Sequence, residues 1–242
     1  MSTGPRTYCP TPLHSGLRFT LDDQAAGHLV RVLRLTDGDS VRLFCGDGHE
    51  YAGELCNVSK KGADVLVGDI LRSDAAQPLH LHLGQVVSKG DRMDFTIQKA
   101  TELGISDITP LWSERCEVRL KGERLDKKVE HWQKVAISAC EQSGRNRIPV
   151  IHEPVYFADW AKASNADLRL ILHPHDQKPL RDYATPASLA LLVGPEGGFS
   201  EMEVLEAVNA GFAGLTLGPR ILRTETAALA ALSVFQYQWG DF

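Results

Sequence analysis

Long apolar runs and a recognisable export signal are both missing from this sequence of 242 residues. Its longest purely apolar stretches, Leu189–Val193 and Ala227–Leu232, are far shorter than the ~20 residues needed to span a bilayer. No apolar segment follows Arg6 near the N-terminus, so the pattern of a secretory signal is not found there. We therefore expect a cytoplasmic protein with no membrane partner.

Patterns of metal and disulfide chemistry are also scarce. The five cysteines are odd in number and form no CxxC pair, which argues against a disulfide framework or a zinc ribbon and favours reduced thiols. His80 and His82 alternate on one predicted strand and His173 lies on a loop, but none has HExxH or zinc-finger spacing. The sequence therefore predicts no metal site.

The common nucleotide and hydrolase motifs are missing as well. There is no GxGxxG, no Walker loop and no GxSxG, so NAD-dependent, ATP-dependent and serine-hydrolase chemistry are disfavoured. Charge argues mildly against a nucleic-acid partner, because 26 basic residues face 31 acidic ones, whereas nucleic-acid-binding proteins are often basic overall. The segment 115–134 is locally positive, and Arg145 and Arg147 follow it. This segment is either a local patch that binds nucleic acid or an ordinary solvated helix face, and the sequence leaves both interpretations open.

Two domains joined by a short linker are predicted from the hydrophobic pattern. Residues 1–72 indicate a small β-rich domain with one helix, which Asp22 or Asp23 can cap. The small, polar segment 73–78 ends in proline and is the predicted linker. From residue 79 to 242, short apolar strands alternate with amphipathic helices, which predicts an α/β domain with a mainly parallel sheet.

Two loops in the α/β domain are candidate binding sites, since ligands bind beyond the carboxyl ends of parallel strands. The first is Gly194–Gly198, where backbone N–H groups can approach a ligand and Ser200 opens a helix with a capping box. The second is the segment 217–226, in which Arg220 and Arg223 bracket two apolar residues before a helix that we expect Thr224 to cap. The alternatives are a tight strand–helix connection for the first loop and surface salt bridges for the arginines.

Five segments in this order closely resemble the RsmE family of SPOUT-class methyltransferases, which modify uracil N3 in 16S ribosomal RNA. They are KGDRMDFTIQKATELG (89–104), EQSGRNRIP (141–149), LILHP (170–174), GPEGGFS (194–200) and LGPRILRTETAALAAL (217–232). The resemblance extends into HLVRVLRL (28–35) and so covers nearly the whole chain. It implies a PUA-like RNA-binding β-barrel followed by a SPOUT α/β domain with a deep trefoil knot, acting as a homodimer on 16S rRNA in the small ribosomal subunit.

S-adenosylmethionine (SAM) is the cofactor that the resemblance implies. Its expected site comprises Leu172, His173, Gly194, Pro195, Glu196, Gly197, Gly198, Leu217, Gly218, Ile221, Leu222, Arg223 and Thr224. Arg223 and Arg145 are expected to hold the uracil or its phosphate, and Glu196, Glu141 and Glu225 are the candidate bases. The expected RNA contacts are Arg6, Arg18, Arg31, Arg34, Arg145 and Asn146.

Three other functions remain as alternatives. A SPOUT enzyme that methylates ribose 2′-hydroxyls would share the cofactor, but usually has an Asn-rich final loop where this chain has RTETAAL. An RNA-binding or ribosome-assembly factor without activity would not need intact cofactor loops. A nucleotide-dependent oxidoreductase would need the dinucleotide fingerprint that is missing here.

Overall fold

The chain folds into two compact units. The structure, a computed structural model, describes residues 4–118, 120–173 and 178–242. The first unit reaches Ala76 and also includes Cys140–Ile148, and the second comprises Gln77–Ala139 and Pro149–Phe242. The division after Ala76 falls inside the predicted linker. The inclusion of Cys140–Ile148 in the first unit differs from the predicted domains, because contacts between residues far apart in sequence determine it.

The first unit is built on a five-stranded sheet. Its strands are β1 (Arg6–Tyr8), β2 (Arg18–Thr20), β3 (Ser40–Phe44), β4 (His49–Ser59) and β5 (Gly62–Ser73), in the order β1-β3-β4-β5-β2. The β1–β3 pair is parallel and the other pairs are antiparallel. Alternate residues such as Val41, Leu43, Val65 and Val67 are buried, as the period of two in a strand predicts.

The predicted helix of this unit is present but changes its pitch. Asp22 caps α1 (Asp23–Ala26) by accepting a hydrogen bond from the N–H of Ala25 at 2.7 Å. A π-helical segment, Gly27–Val32, follows directly. The wider turn breaks the 3.6-residue period, so Leu29 is buried while Leu33, predicted on the same face, is 41% exposed.

The second unit contains a parallel sheet, which confirms the predicted α/β fold. Its strands are β6 (His80–Val86), β7 (Asp107–Trp112), β8 (Val150–Ile151), β9 (Val155–Tyr156), β10 (Leu168–Leu172), β11 (Ser188–Val193) and β12 (Ala213–Leu215). Their order is β12-β10-β11-β6-β7-β8, with β9 also paired to β7, and every pair is parallel. The short β8 and β9 were not predicted, and neither were β1 and β2, because runs this short show no periodicity.

Helices cover this sheet and share one core with it. They are α2 (Arg92–Glu102), α3 (Glu123–Ser143), α4 (Phe157–Ala163), α5 (Glu201–Asn209) and α6 (Thr224–Trp239); α4 was not predicted. Among the alanines of α6, Ala228 and Ala231 are fully buried and Ala227 and Ala230 are half-buried, in keeping with the burial expected from its composition. The predicted loop 174–188 contains a 3₁₀ turn, Leu180–Asp182, and its first residues, 174–177, lie outside the described ones.

Candidate cofactor and RNA site

A cavity of about 890 Å³ opens where three neighbouring parallel strands end. β10 ends at Leu172, β11 at Val193 and β12 at Leu215, and the segments that follow each strand form the cavity wall. All thirteen residues expected to hold the cofactor line it: Leu172, His173, Gly194, Pro195, Glu196, Gly197, Gly198, Leu217, Gly218, Ile221, Leu222, Arg223 and Thr224. A volume in this range suits a ligand of cofactor size.

The glycine-rich loop after β11 is held by hydrogen bonds near its C-terminal end. Ser200 and Glu203 form the predicted capping box of α5: the Ser200 side chain accepts from the N–H of Glu203 at 3.3 Å, and Glu203 accepts from the N–H of Ser200 at 2.9 Å. Arg115 donates to the Gly197 carbonyl at 2.8 Å. Gly198 has a φ of +67°, which an L side chain rarely adopts, so the glycine is required by the backbone.

The loop between β12 and α6 exposes apolar and basic side chains to the cavity. Gly218 turns the chain with a φ of +85°, and no atom stands within 4 Å of where its Cβ would be. Ile221 is fully exposed and Leu222 is half-buried, so both are available to a flat ring. The N-cap of α6 is Arg223, without a side-chain cap, so the prediction that Thr224 caps this helix is wrong.

Thr224 instead connects two of the other segments. Its hydroxyl donates to the Gly194 carbonyl at 2.7 Å and accepts from the Gln85 amide at 2.9 Å. Gln85 is fully buried on β6, and Thr224 is buried as well. The end of β6, the glycine-rich loop and the start of α6 are therefore joined by one chain of hydrogen bonds.

The predicted catalytic residues are divided between the units. Arg223 and Glu196 both line the cavity of the second unit. Arg145 belongs to the segment Cys140–Ile148 of the first unit. The Glu196 carboxylate is already engaged, because Arg92 donates to it at 2.6 Å.

Two of the six predicted RNA contacts are corrected by their burial. Arg6 and Asn146 are 8% and 0% exposed and hydrogen-bond to each other, so they hold the first unit together and do not present a surface to RNA. Arg18, Arg31 and Arg34 are exposed, as an RNA contact requires, although Arg18 is within 3.5 Å of Asp64. The alternative base Glu141 accepts hydrogen bonds from Tyr8 N–H and the Thr7 hydroxyl.

Two arginines line the cavity beside the thirteen expected cofactor residues: Arg92, which the sequence did not place at the site, and Arg220, which was predicted in the second binding loop. Arg92 comes from the start of α2 and Arg220 from the loop before α6, so basic side chains outnumber carboxylates among the described lining residues. Arg92 lies in the KGDRMDF segment, which was recognised as a motif, but its distance in sequence gave no signal that it would reach this cavity. Of the candidate bases, Glu225 has one carboxylate oxygen, Oε2, that is buried without a hydrogen-bond partner among the described residues.

Histidines and cysteines show no metal-binding arrangement in the described parts of the chain. His80 and His152 each bond to the Asp107 carboxylate, at 2.8 and 2.7 Å, and burial lowers the pKa of the neighbouring His82 to about 4. All five cysteines are free thiols, and burial raises the pKa of Cys9 to about 12. Within the same residues, no helix combines the length and apolar character of a membrane span.

Sequence profiles match both units. A profile described as an RNA methyltransferase domain matches residues 75–236, and one described as an RNA methyltransferase PUA domain matches residues 21–68. Together with the parallel sheet and the cavity at its strand ends, these matches define the class of the protein as a SPOUT-type RNA methyltransferase with an N-terminal PUA domain.

Comparison with individual proteins narrows the class to one family. The ribosomal RNA small subunit methyltransferase E of Buchnera aphidicola (subsp. Acyrthosiphon pisum) is 35% identical over 240 residues, covering 98% of this chain and 95% of that protein. The crystal structure of ribosomal RNA small subunit methyltransferase E from Neisseria gonorrhoeae, bound to SAM, is 41% identical with a TM-score of 0.93 and 99% coverage of both chains. A Legionella pneumophila protein solved with bound SAM is 43% identical, with a TM-score of 0.94 and 99% coverage of both chains. This chain belongs to the ribosomal RNA small subunit methyltransferase E family.

The residues of the cavity fit the cofactor with which those relatives were solved. The glycines expose backbone polar groups to the cavity, and at Gly198 and Gly218 the space that a Cβ would occupy is open. Apolar side chains and arginines line the same cavity, which suits a ligand that combines an aromatic base with a carboxylate.

Proposed function

We propose that this protein transfers a methyl group from SAM to N3 of a specific uridine in 16S ribosomal RNA, with the assembled small subunit as substrate. The observation that supports this most directly is the convergence of all thirteen expected cofactor residues on one cavity. Those residues come from three separate segments, after β10, after β11 and after β12, so their meeting is a consequence of the fold and not of sequence proximity.

In this proposal the cavity wall binds SAM through three kinds of group. Backbone groups of Gly194–Gly198 hold polar edges of the cofactor, and Leu217, Ile221 and Leu222 contact its adenine. The start of α6, with Arg223 as its N-cap, faces a carboxylate or a phosphate, since helix N-termini favour anions. When bound, SAM supplies an electrophilic methyl group on a sulfonium.

The uracil must lose its N3 proton for that nitrogen to attack. Arg223 and Arg145 are proposed to hold the uracil or its phosphate and to stabilise negative charge as it develops on the ring. Glu196 is a proposed base; its Oε1 is paired with Arg92, so its other carboxylate oxygen, Oε2, is the one proposed to accept a proton from the substrate. Glu225, with one buried oxygen free of hydrogen bonds among the described residues, remains a second candidate.

Alanine substitutions test the two arginines. Arg223→Ala and Arg145→Ala are each expected to lower kcat/KM by at least tenfold, because each removes a cation that contacts the substrate. A kcat/KM within about threefold of wild type, equivalent to ~0.6 kcal/mol, contradicts the assignment for that residue. Arg181→Ala is a matched control, since this exposed arginine is not among the cavity residues.

The reaction itself is tested by following labelled methyl from SAM to unmodified small subunits and, separately, to protein-free 16S RNA. N3-methyluridine in the nucleoside mass analysis is the expected product, with label on the subunits alone. Label on both substrates contradicts the need for an assembled particle. A 2′-O-methyl product contradicts methylation of the base. Absence of methyl transfer despite SAM binding contradicts the assignment of 16S RNA as the substrate.

Several further features belong to the same proposal. They are cytoplasmic action, a homodimer, a trefoil knot in the second unit, and RNA contacts by Arg18, Arg31 and Arg34. Exposed Val234 and Tyr237 on α6 are 40% and 80% accessible and support a subunit interface there. Analytical sedimentation at micromolar protein concentration is expected to show a dimer, and a monomer contradicts the proposed homodimer.

A further inference from the structure

Arg6 buries its guanidinium against the segment that contains Arg145. Its Nε donates to Glu50 Oε1 at 2.7 Å, and the Arg6 side chain is only 3% exposed. Its Nη1 donates to the Cys140 carbonyl, and its Nη2 donates to the Arg145 carbonyl at 2.6 Å and to Asn146 Oδ1. One planar group therefore binds a carboxylate on one side and three oxygens of a single segment on the other.

This arrangement does more than neutralise Glu50. Burying a guanidinium is costly unless its charge is paired and its N–H groups are satisfied, and burial accordingly lowers the pKa of Arg6. Arg42 also approaches Glu50 Oε1, at 3.6 Å, while donating to the Gly4 carbonyl at 2.9 Å. The feature that distinguishes Arg6 from Arg42 is its fork of donors directed at Cys140, Arg145 and Asn146.

The segment after α3 depends on side chains of its own unit for its conformation. Residues 144–148 are neither helix nor strand, so no ladder of backbone hydrogen bonds fixes them, although the N–H of Gly48 donates to the Asn146 carbonyl at 3.4 Å. Asp74 accepts from both the N–H and the side-chain amide of Asn146, each at 2.9 Å. Arg72 donates to the Gly144 carbonyl. Among these contacts, the one made to the backbone of Arg145 itself comes from Arg6.

We propose that Arg6 is a positioning residue that directs the Arg145 side chain toward an anionic group of the RNA. This rests on the proposed function, in which Arg145 contacts the uracil or its phosphate. Arg6 holds the Arg145 carbonyl and Asp74 holds the N–H of Asn146, so both ends of the peptide link after Arg145 are fixed. This limits the backbone torsions beside that link, and so limits the directions open to the Arg145 side chain. Arg6 itself does not contact RNA, since its side chain is buried.

The test compares Arg6→Lys with Arg42→Lys. Lysine keeps the charge beside Glu50 but lacks the planar fork. Arg6→Lys is expected to lower kcat/KM for small subunits about tenfold, through KM, while the Kd for SAM stays within twofold of wild type. Arg42→Lys is expected to leave kcat/KM within twofold. Equal losses in the two variants overturn the proposal.

A double-mutant cycle then asks whether Arg6 acts through Arg145. If it does, Arg6→Lys causes no further loss of kcat/KM in the Arg145→Ala background. An additional tenfold loss in that background overturns the proposal, and so does wild-type activity of Arg145→Ala alone. Asn146→Ala keeps the Arg6–Glu50 pair and removes one acceptor of Arg6 together with one hydrogen bond to Asp74. It gives the same cycle if Arg6→Lys does not fold.

Hydrogen exchange separates failure of this proposal from failure of the proposed function. Amides of residues 144–148 are expected to exchange at least tenfold faster in Arg6→Lys than in wild type or Arg42→Lys, with no RNA or SAM present. Unchanged exchange overturns the positioning role. Faster exchange in Arg6→Lys, combined with no methyl transfer by the wild-type protein, contradicts the proposed function. In that case Arg6 still fixes the segment that contains Arg145, but not for binding RNA.

Discussion

Replacing Thr224 with valine isolates the hydrogen-bond chain that joins three segments of the cavity. Valine has nearly the same shape as threonine, so it removes the hydroxyl with little change in packing. Two hydrogen bonds are lost, one to the Gly194 carbonyl and one from the Gln85 amide. The Gln85 amide retains its bond to the Val86 carbonyl, at 3.1 Å, so the acceptor left without this partner is Gly194 O.

The expected magnitude follows from those contacts. The two neutral hydrogen bonds contribute about 1 kcal/mol each, and a partly buried carbonyl without its partner costs roughly 1 kcal/mol more. Burying the additional methyl group returns about 0.8 kcal/mol. We therefore expect Thr224→Val to lower the free energy of unfolding of the second unit by about 2 kcal/mol.

Tryptophan fluorescence during urea unfolding measures this change in the relevant unit alone. All four tryptophans, Trp112, Trp132, Trp160 and Trp239, are buried in the second unit. Thr224→Ser keeps the hydroxyl but removes a buried methyl group, so it is expected to lower the unfolding free energy by only about 0.8 kcal/mol. Thr226→Val changes an exposed threonine of the same helix and is expected to shift it by less than about 0.5 kcal/mol. A Thr224→Val protein as stable as the Thr226→Val control refutes the reasoning.

Two more perturbations have defined outcomes. Gly218→Ala places a Cβ on a backbone with φ of +85°, which costs a strain of about 1–2 kcal/mol, so we expect calorimetric titration with SAM to show a five- to tenfold higher Kd. Gly16→Ala, with φ of +84° in the first unit, is the control. Equal SAM affinity of the wild type and both variants contradicts a role of Gly218 in SAM binding. Burial holds the pKa of His82 at about 4, below the 6.5 of a free histidine. Between these pH values the unfolded chain binds more protons than the folded one, so the free energy of unfolding falls as pH is lowered from 6.5 toward 4. His82→Gln is expected to flatten that part of the pH–stability profile by up to about 1.4 kcal/mol per pH unit, and parallel profiles for the two proteins contradict it.

The fold class and most of the cavity wall were determined by local sequence pattern. Alternating apolar residues predicted β3, β4 and β5, and apolar runs followed by glycine or polar turns predicted five of the strands in the parallel sheet. The glycine-rich loop was recognisable because glycines, a capping box and a preceding strand occur together within a few residues. Such signals are local, so they survive without knowledge of the tertiary structure.

The partners of charged side chains were decided only by tertiary structure. Arg6 was expected to contact RNA as part of the predicted RNA-binding barrel, and Asn146 as part of a basic segment, yet they meet across 140 positions of sequence in a buried cluster. Arg92 reaches Glu196 across 104 positions, and Thr224 bonds to Gly194 instead of capping its own helix. Composition and periodicity say which residues prefer the interior, but a buried polar group takes whichever partner the packed chain brings within hydrogen-bond distance, and that distance is a property of the whole fold.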